Sequence, residues 1–263
     1  MIVTLLSDFG LKDEYVARTK GILLQHISCD HIIDISHDVV PFSTFNGSYL
    51  LKGSYQDFPQ KTIHINLLDI LHEEPARALI ADINGQWVIS ADNGFLPLMV
   101  DDGSKVPCFQ LPVSANTYFG WIKQVAVFLG KWYGAPQLIQ ELPEAILRGN
   151  AFVPDLLLTE DSIETAVLHI DHYGNTIFNL TQTQFESVRK GRDFKIALSN
   201  STAALNNISH DYKEVENSKV LARFNSSGYL EISVNQANAA LLFGHNLYAT
   251  EQMFYTKAKI EFK

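Results

Sequence analysis

Cysteine is scarce in this chain: Cys29 and Cys108 are the only two among 263 residues. That excludes a disulfide-built scaffold and reads as two reduced core thiols. Long apolar runs are missing as well. None reaches the ~18 residues of a membrane span. Met1-Ile2-Val3-Thr4-Leu5-Leu6 has no basic segment before it and no cleavage site after it, so it reads as a strand and not a signal peptide. A cytoplasmic location is the expectation. Positive charge is short, with 20 Lys and Arg against 29 Asp and Glu, a net −9. No basic cluster is dense enough to grip a nucleic-acid backbone, which excludes that class of partner. There is no internal repeat and no low-complexity tract. What the chain does have is apolar residues, at 46%, and aromatics, at 11%. That is enough for a sizeable core in one large domain or two modest ones.

The pattern along the chain changes once. Residues 2–6, 32–35 and 62–68 are β-prone, and helical spacing fills residues 14–27 and 46–51 between them. That β-α-β-α-β order predicts an α/β domain with a mostly parallel sheet covered by helices. Asn84-Gly85 predicts a hairpin joining strands 77–83 and 86–90. Ile122, Val125, Ala126, Leu129 and Trp132 mark a further helix. Proline and glycine gather between residues 134 and 155, and we place a boundary there, giving an N-terminal domain of residues 1–150. Residues 151–263 hold short β-prone runs separated by turns, at 165–170, 176–180, 194–198, 220–224 and 229–234. They predict a smaller all-β barrel or sandwich.

Three segments carry candidate chemistry. Asp8, in Ser7-Asp8-Phe9-Gly10, follows the first strand, at the sheet edge where open α/β folds bind ligands. Its carboxylate can accept both hydroxyls of a ribose, or it can cap a helix or turn. Asp171 and Asn175, in Asp171-His172-Tyr173-Gly174-Asn175, bracket a glycine turn. An ionised Asp171 can hold an ammonium and Asn175 can read an adenine edge, or the two can bond within their own turn. Ser226 and Ser227 precede Gly228 and Tyr229. They suit a ligand carboxylate, or a plain hairpin. Aromatic rings beside polar turns fit a ligand with a flat ring and several polar handles.

Taken in order, these segments resemble the S-adenosylmethionine (SAM) hydroxide adenosyltransferase family, relatives of the SAM-dependent fluorinase and chlorinase. Leu5 to Gly10 with Asp13 and Tyr15-Val16 resembles the family's opening motif. Ile33-Asp34-Ile35-Ser36-His37 with Pro41-Phe42 resembles its second strand and stacking aromatic. Asp92-Asn93-Gly94-Phe95-Leu96, the turn 169–175 with Asn179, Asn225 to Leu230, and Asn235 to Ala240 resemble later family segments. The resemblance implies a site in which Asp8 holds the ribose and Phe42 stacks near the substrate. Asp171 would hold the methionine ammonium, Ser226 beside Tyr229 its carboxylate, and Asn175 with Tyr173 the adenine. It implies SAM as substrate or ligand, no cofactor and no metal. It also implies a homotrimer with sites between the N-terminal domain of one subunit and the C-terminal domain of the next.

The likeness breaks at the hydrolytic groups. The family's water-holding Asp, Arg and His fall at Asp69, Ala76 and Phe119 of this chain. Asp69 alone is kept, and the second of the family's two arginines survives as Arg77. Phe119 cannot take part in proton transfer. His72 and Glu73, in the altered loop, are candidates to substitute, or are solvated loop residues. The halogenating relatives lack the Asp kept here as Asp69, and a carboxylate repels halide. The expected activity is displacement at the ribose C5′ by water, giving adenosine and methionine. The alternative is an inactive SAM- or adenosine-binding homologue, a sensor or a structural trimer. If the loop keeps position 76 near the water, Ala76→Arg with Phe119→His should raise the rate.

Overall fold

The computed structural model describes residues 1–100, 105–147, 153–198, 204–245 and 257–263. The chain separates into two compact units, residues 1–152 and 153–263. The expected boundary between residues 150 and 151 lies outside the described residues.

The first unit runs β1 (Ile2–Leu6), α1 (Tyr15–His26), β2 (His31–Ser36), α2 (Thr44–Lys52), β3 (Ile63–Asn66), β4 (Ala78–Ile83), β5 (Gln86–Ala91), α3 (Phe95–Met99), β6 (Cys108–Gln110) and α4 (Tyr118–Gly134). The strand order is β2-β1-β3-β5-β4-β6. The pairs β1–β2, β1–β3 and β3–β5 are parallel, and β4–β5 and β4–β6 are antiparallel. The sheet is therefore mixed, consistent with the expected one: three of its five pairs are parallel, and the antiparallel ones involve β4, the first strand of the expected hairpin. The hairpin at Asn84 and Gly85, both at positive φ (55° and 79°), turns β4 back along β5. From β1 the chain moves to β2 on one side, then crosses to β3 on the other. The topological switch point thus lies between β1 and β3, where open α/β sheets form a ligand crevice.

Helices cover both faces. On one, Leu23 of α1 and Trp121, Ile122, Val125 and Leu129 of α4 bury against Val3, Leu5, Ile63 and Ile65. On the other, Leu51, Phe95, Leu96 and Met99 pack on Leu6, Leu79 and Val88. Helix α4 starts one turn before the apolar spacing suggests, because the Thr117 side chain accepts the Gly120 N–H at 3.2 Å and caps it. Burial pushes the Cys108 thiol up to about 11, so it stays protonated and inert in the core.

The second unit runs β7 (Leu157–Leu158), β8 (Ser162–Ile170), β9 (Thr176–Thr181), α5 (Gln182–Arg189), β10 (Phe194–Leu198), β11 (Ala204–Leu205), β12 (Val220–Phe224), β13 (Tyr229–Val234), α6 (Ala239–Phe243) and β14 (Lys257–Phe262). Its sheet follows β11-β10-β14-β8-β9-β13-β12, with β7 on β8, and its pairs are antiparallel. This is a barrel-like sheet in which β11 and β12 are not paired with each other among the described residues. It is not all β. Helix α5 opens on a capping box between Thr181 and Gln184. It buries Phe185 against Phe194, Phe224 and Phe262, with ring centroids 5.2–5.8 Å apart. Among the described residues no helix is long and apolar enough to cross a membrane.

Candidate functional site

The carboxyl ends of β1 and β3 bring Asp8 and Asp69 to the two sides of the switch point. Asp8 follows β1, and its Oδ2 accepts the Phe42 N–H at 2.8 Å. Phe42 itself sits at φ 61°, with its side chain turned out and 75% exposed. Burial raises the Asp8 pKa, the Phe42 N–H partly offsets this, and the charge of Asp69 raises it further. The two carboxylates therefore feel each other. A carboxyl with a raised folded-state pKa costs stability as the pH rises through that value. Hydroxyl donors from a ligand would relieve the cost by favouring the ionised form.

A brace holds Asp8 from behind. Ser7 Oγ is 2.6 Å from His37 Nδ1, and the Gly10 N–H donates to the His37 carbonyl at 2.6 Å. His37 Nε2 lies 3.0 Å from Asp34 Oδ1, off the direction of a hydrogen bond, so that contact is electrostatic. Lys20 donates to Asp34 Oδ2 at 2.6 Å. Ser, His and Asp thus stand in a row, but Ser7 is fully buried and cannot reach a substrate as a nucleophile. The segment 33–37 was visible in the sequence as a motif; its tie to the Asp8 loop was not.

Asp69 follows β3 at φ 44°, a left-handed conformation that Asp tolerates better than most residues. The Asn93 side-chain amide, at the end of β5, donates to the carbonyls of Leu68 and Asp69 at 2.8 and 3.2 Å and pins that turn. Asp69 Oδ2 is 2.9 Å from His72 Nδ1. Glu73, the other candidate in the loop, turns away. It accepts from Arg77 Nε at 2.7 Å, and Arg77 also donates to Asp92 at 2.8 Å. Arg77 is spent on two carboxylates and Glu73 on one guanidinium.

The altered positions are built into the scaffold. Ala76 is completely buried, bridged to Ala115 through paired backbone hydrogen bonds. Phe119 stacks on Tyr15 with centroids 5.4 Å apart, and the Arg18 guanidinium lies 3.7 Å from its ring centroid. Phe9 and Tyr118 complete this aromatic cluster, with centroids 4.9 Å apart. Burial, partly offset by the Thr19 hydroxyl, drives the Tyr118 pKa upward, and Asp8 adds to the rise, so Tyr118 stays a neutral donor or acceptor.

In the second unit the turn 171–175 is organised by its own carboxylate. Asp171 Oδ1 accepts the N–H groups of Tyr173 and Asn175, both at 2.9 Å, and Oδ2 accepts Asn175 Nδ2 at 2.8 Å. The self-bonding alternative is thus present. It leaves the carboxylate its charge and roughly one acceptor site, and leaves Asn175 its amide oxygen and one N–H. Tyr173 and Asn175 line an open cavity of about 720 Å³ together with Tyr212, Gln236, Ala237 and Asn238. Asp171, Ser226 and Tyr229 are not among its lining residues. Ser226 sits at an exposed turn organised by Asn225, whose Oδ1 accepts the N–H groups of Ser227 and Tyr229 at 3.0 Å.

Tyr212 is a residue the sequence did not single out. Its hydroxyl donates to the buried Glu231 at 2.8 Å, and the Arg223 guanidinium lies 4.6 Å over its ring. It sits in a single 3-10 turn with no periodic pattern around it, so only its aromatic character marked it. A second hollow, about 610 Å³, is lined by Ile2, Thr62, Ile63, Trp87 and Trp132 at the amino ends of β1 and β3, and holds none of the candidate residues. Asp8 and Asp69 lie at the opposite edge of the sheet, past the carboxyl ends of β1 and β3. Among the described residues no group of His, Cys, Asp and Glu is arranged to hold a metal.

Gly174 fixes the 171–175 turn. Its φ is +81°, and a Cβ there would meet the Asn238 amide at 2.1 Å. Asn238 cannot retreat freely, because its Oδ1 caps α6 through the Leu241 N–H at 2.7 Å. Gly174→Ala should therefore destabilise the protein by about 2 kcal/mol or more, the left-handed penalty plus the clash. A denaturant midpoint equal to the wild type would show that the turn relaxes without cost.

Residues 3–121 match the SAM hydroxide adenosyltransferase N-terminal domain and residues 165–250 the C-terminal domain of the same family. The chain belongs to the SAM hydroxide adenosyltransferase family. Among its relatives in that family, the (R)-S-adenosyl-L-methionine hydrolase of Methanocaldococcus jannaschii is 26% identical, over 92% of this chain and 91% of that protein. The hydrolase of the same name from Thermus thermophilus is 25% identical, over 92% and 95%. The fluorinase of Nocardia brasiliensis is 23% identical, over 94% of each. The fold is similar to that of a conserved protein of Thermotoga maritima, with a TM-score of 0.77 at 20% identity over 99% of this chain and 100% of that one.

Proposed function

We propose that the protein hydrolyses SAM to adenosine and L-methionine in the cytoplasm, with no cofactor. The observation that carries this is the Asp8–Asp69 pair at the switch-point edge, in a chain whose family relatives include proteins named SAM hydrolases. The reaction is a displacement at C5′. A water oxygen bonds to C5′, the C5′–S bond breaks, the electron pair leaves with the methionine sulfur, and one proton is released. The sulfonium is already a good leaving group, so positioning and electrostatics carry much of the rate.

In this reading Asp8 accepts the ribose hydroxyls and Asp69 orients the attacking water. Phe42 stacks near the substrate, while Tyr173 and Asn175 take the adenine, with Tyr212 as a further ring. The residual charge of Asp171 receives the ammonium, and Ser226 beside Tyr229 receives the carboxylate. We further propose that a closed homotrimer supplies these groups to each ligand.

The test is to incubate the purified protein with SAM and follow adenosine and methionine by chromatography. Equal amounts of both are the expected result. Binding of SAM without adenosine would replace the enzyme by the sensor reading, and a monomer that still turned over would remove the trimer.

A further inference from the structure

With the family's histidine position filled by Phe119, the hydrolase reading lacks a group to take the proton of the attacking water. One side chain of the loop after β3 is placed to do so. His72 lies on the loop after β3, its Nδ1 2.9 Å from Asp69 Oδ2, and its side chain is 48% exposed against 28% for Asp69. The backbone is folded to the same end, since the His72 N–H donates to the Asp69 carbonyl at 3.3 Å. The turn is pinned by the Asn93 amide, which donates to the carbonyls of Leu68 and Asp69. Glu73 and Arg77, the other functional groups of the loop, are committed to each other and to Asp92. The imidazole is the one with an open edge.

We propose that His72 is a catalytic residue, the general base of the hydrolysis, oriented by Asp69. The hydrogen bond to a carboxylate favours the tautomer with its proton on Nδ1, which leaves the Nε2 lone pair for the water. As the water oxygen bonds to C5′ and the C5′–S bond breaks, the water proton passes to Nε2. The imidazolium that forms is stabilised by Asp69 and returns the proton to solvent after the products leave. The charged groups around the imidazole are Asp69, Glu73 and Glu74 of its own loop, the Arg77–Asp92 pair that holds Glu73, and Asp8 after β1, acting through Asp69. Asp69 is thereby asked to do two things with one carboxylate, to orient the base and to face the water. This proposal rests on the hydrolase reading.

The test uses His72→Asn in the full chain, because the asparagine amide can keep a hydrogen bond to Asp69 while removing Nε2. His72 is half exposed, so the substitution leaves the core untouched, and His72→Gln serves as the second variant. The expected result is a fall in kcat of about 10²-fold or more with KM within about twofold. The acid limb of the wild-type kcat–pH profile should vanish, and added imidazole should restore part of the rate in His72→Gly. A variant His72→Asn with kcat within about threefold of the wild type, or with the acid limb intact, overturns the proposal. If that happens while Asp69→Asn is inactive, the hydrolase reading stands without His72. If the wild type makes no adenosine, both readings fall together.

Discussion

Replacing Asp69 with asparagine should lower kcat for adenosine formation by at least ~10²-fold and leave KM within about twofold of the wild type. The separation follows from position. Asp69 contacts His72 and faces the water in the proposed reaction, and none of its assigned partners belongs to the substrate. The substitution is clean, because asparagine tolerates φ 44° and the Asn93 clamp grips backbone carbonyls, not the carboxylate. A second readout comes with it. Burial is the main cause of the raised Asp8 pKa and the Asp69 charge a smaller one, so removing that charge should lower the Asp8 pKa in part and leave the contribution of burial in place. Carbon-detected NMR of the aspartate side chains would follow that titration. An Asp69→Asn enzyme with wild-type kcat would remove Asp69 from the chemistry.

Ala76→Arg should destabilise the protein by about 3 kcal/mol or more, and should not restore activity. Together with Phe119→His it is the substitution that the sequence expects to raise the rate, provided that the loop keeps position 76 near the water. The burial of Ala76 argues against that proviso. Ala76 has no exposed surface and is bridged to Ala115. Its core cluster includes Ile70, Leu111, Val113 and Trp121. A guanidinium there would enter apolar surroundings, and Arg77 already holds Glu73 and Asp92. At 2–4 °C per kcal/mol for a domain of this size, thermal unfolding should move down by about 6 °C or more. A variant as stable as the wild type and faster in hydrolysis would show that position 76 opens onto the site. Phe119→His faces a different obstacle, since Phe119 is held between Tyr15 and the Arg18 guanidinium.

The sequence was most legible where periodicity and turn chemistry agreed. Strand β1, helix α1 and the Asn84-Gly85 hairpin follow directly from apolar spacing and from residues that accept positive φ. Helix α5 and strand β14 also carry local signals in the sequence. Thr181 and Gln184 form a capping box, and Lys257–Phe262 alternates buried and exposed residues. Strand β6 was not legible, because an apolar run of three residues says nothing of whether or in which direction it pairs. At the site, the types of residue were readable but their bonding was not. Asp171 and Asn175 turned out to bond to each other as well as offering free edges. Tyr212 and the Ser7–His37 brace join residues too far apart in the chain for spacing to link them.

The left-handed backbone at position 69 restricts that position independently of chemistry. Glycine, asparagine and aspartate sit at φ 44° with less strain than most other residues. Glutamate, the usual conservative replacement for aspartate, is therefore a poor one here. It lengthens the side chain and strains the turn at once. Asparagine, by contrast, would satisfy the turn as well as aspartate does. The fold alone has no need of a negative charge at residue 69, so the charge has to be accounted for by what it acts on.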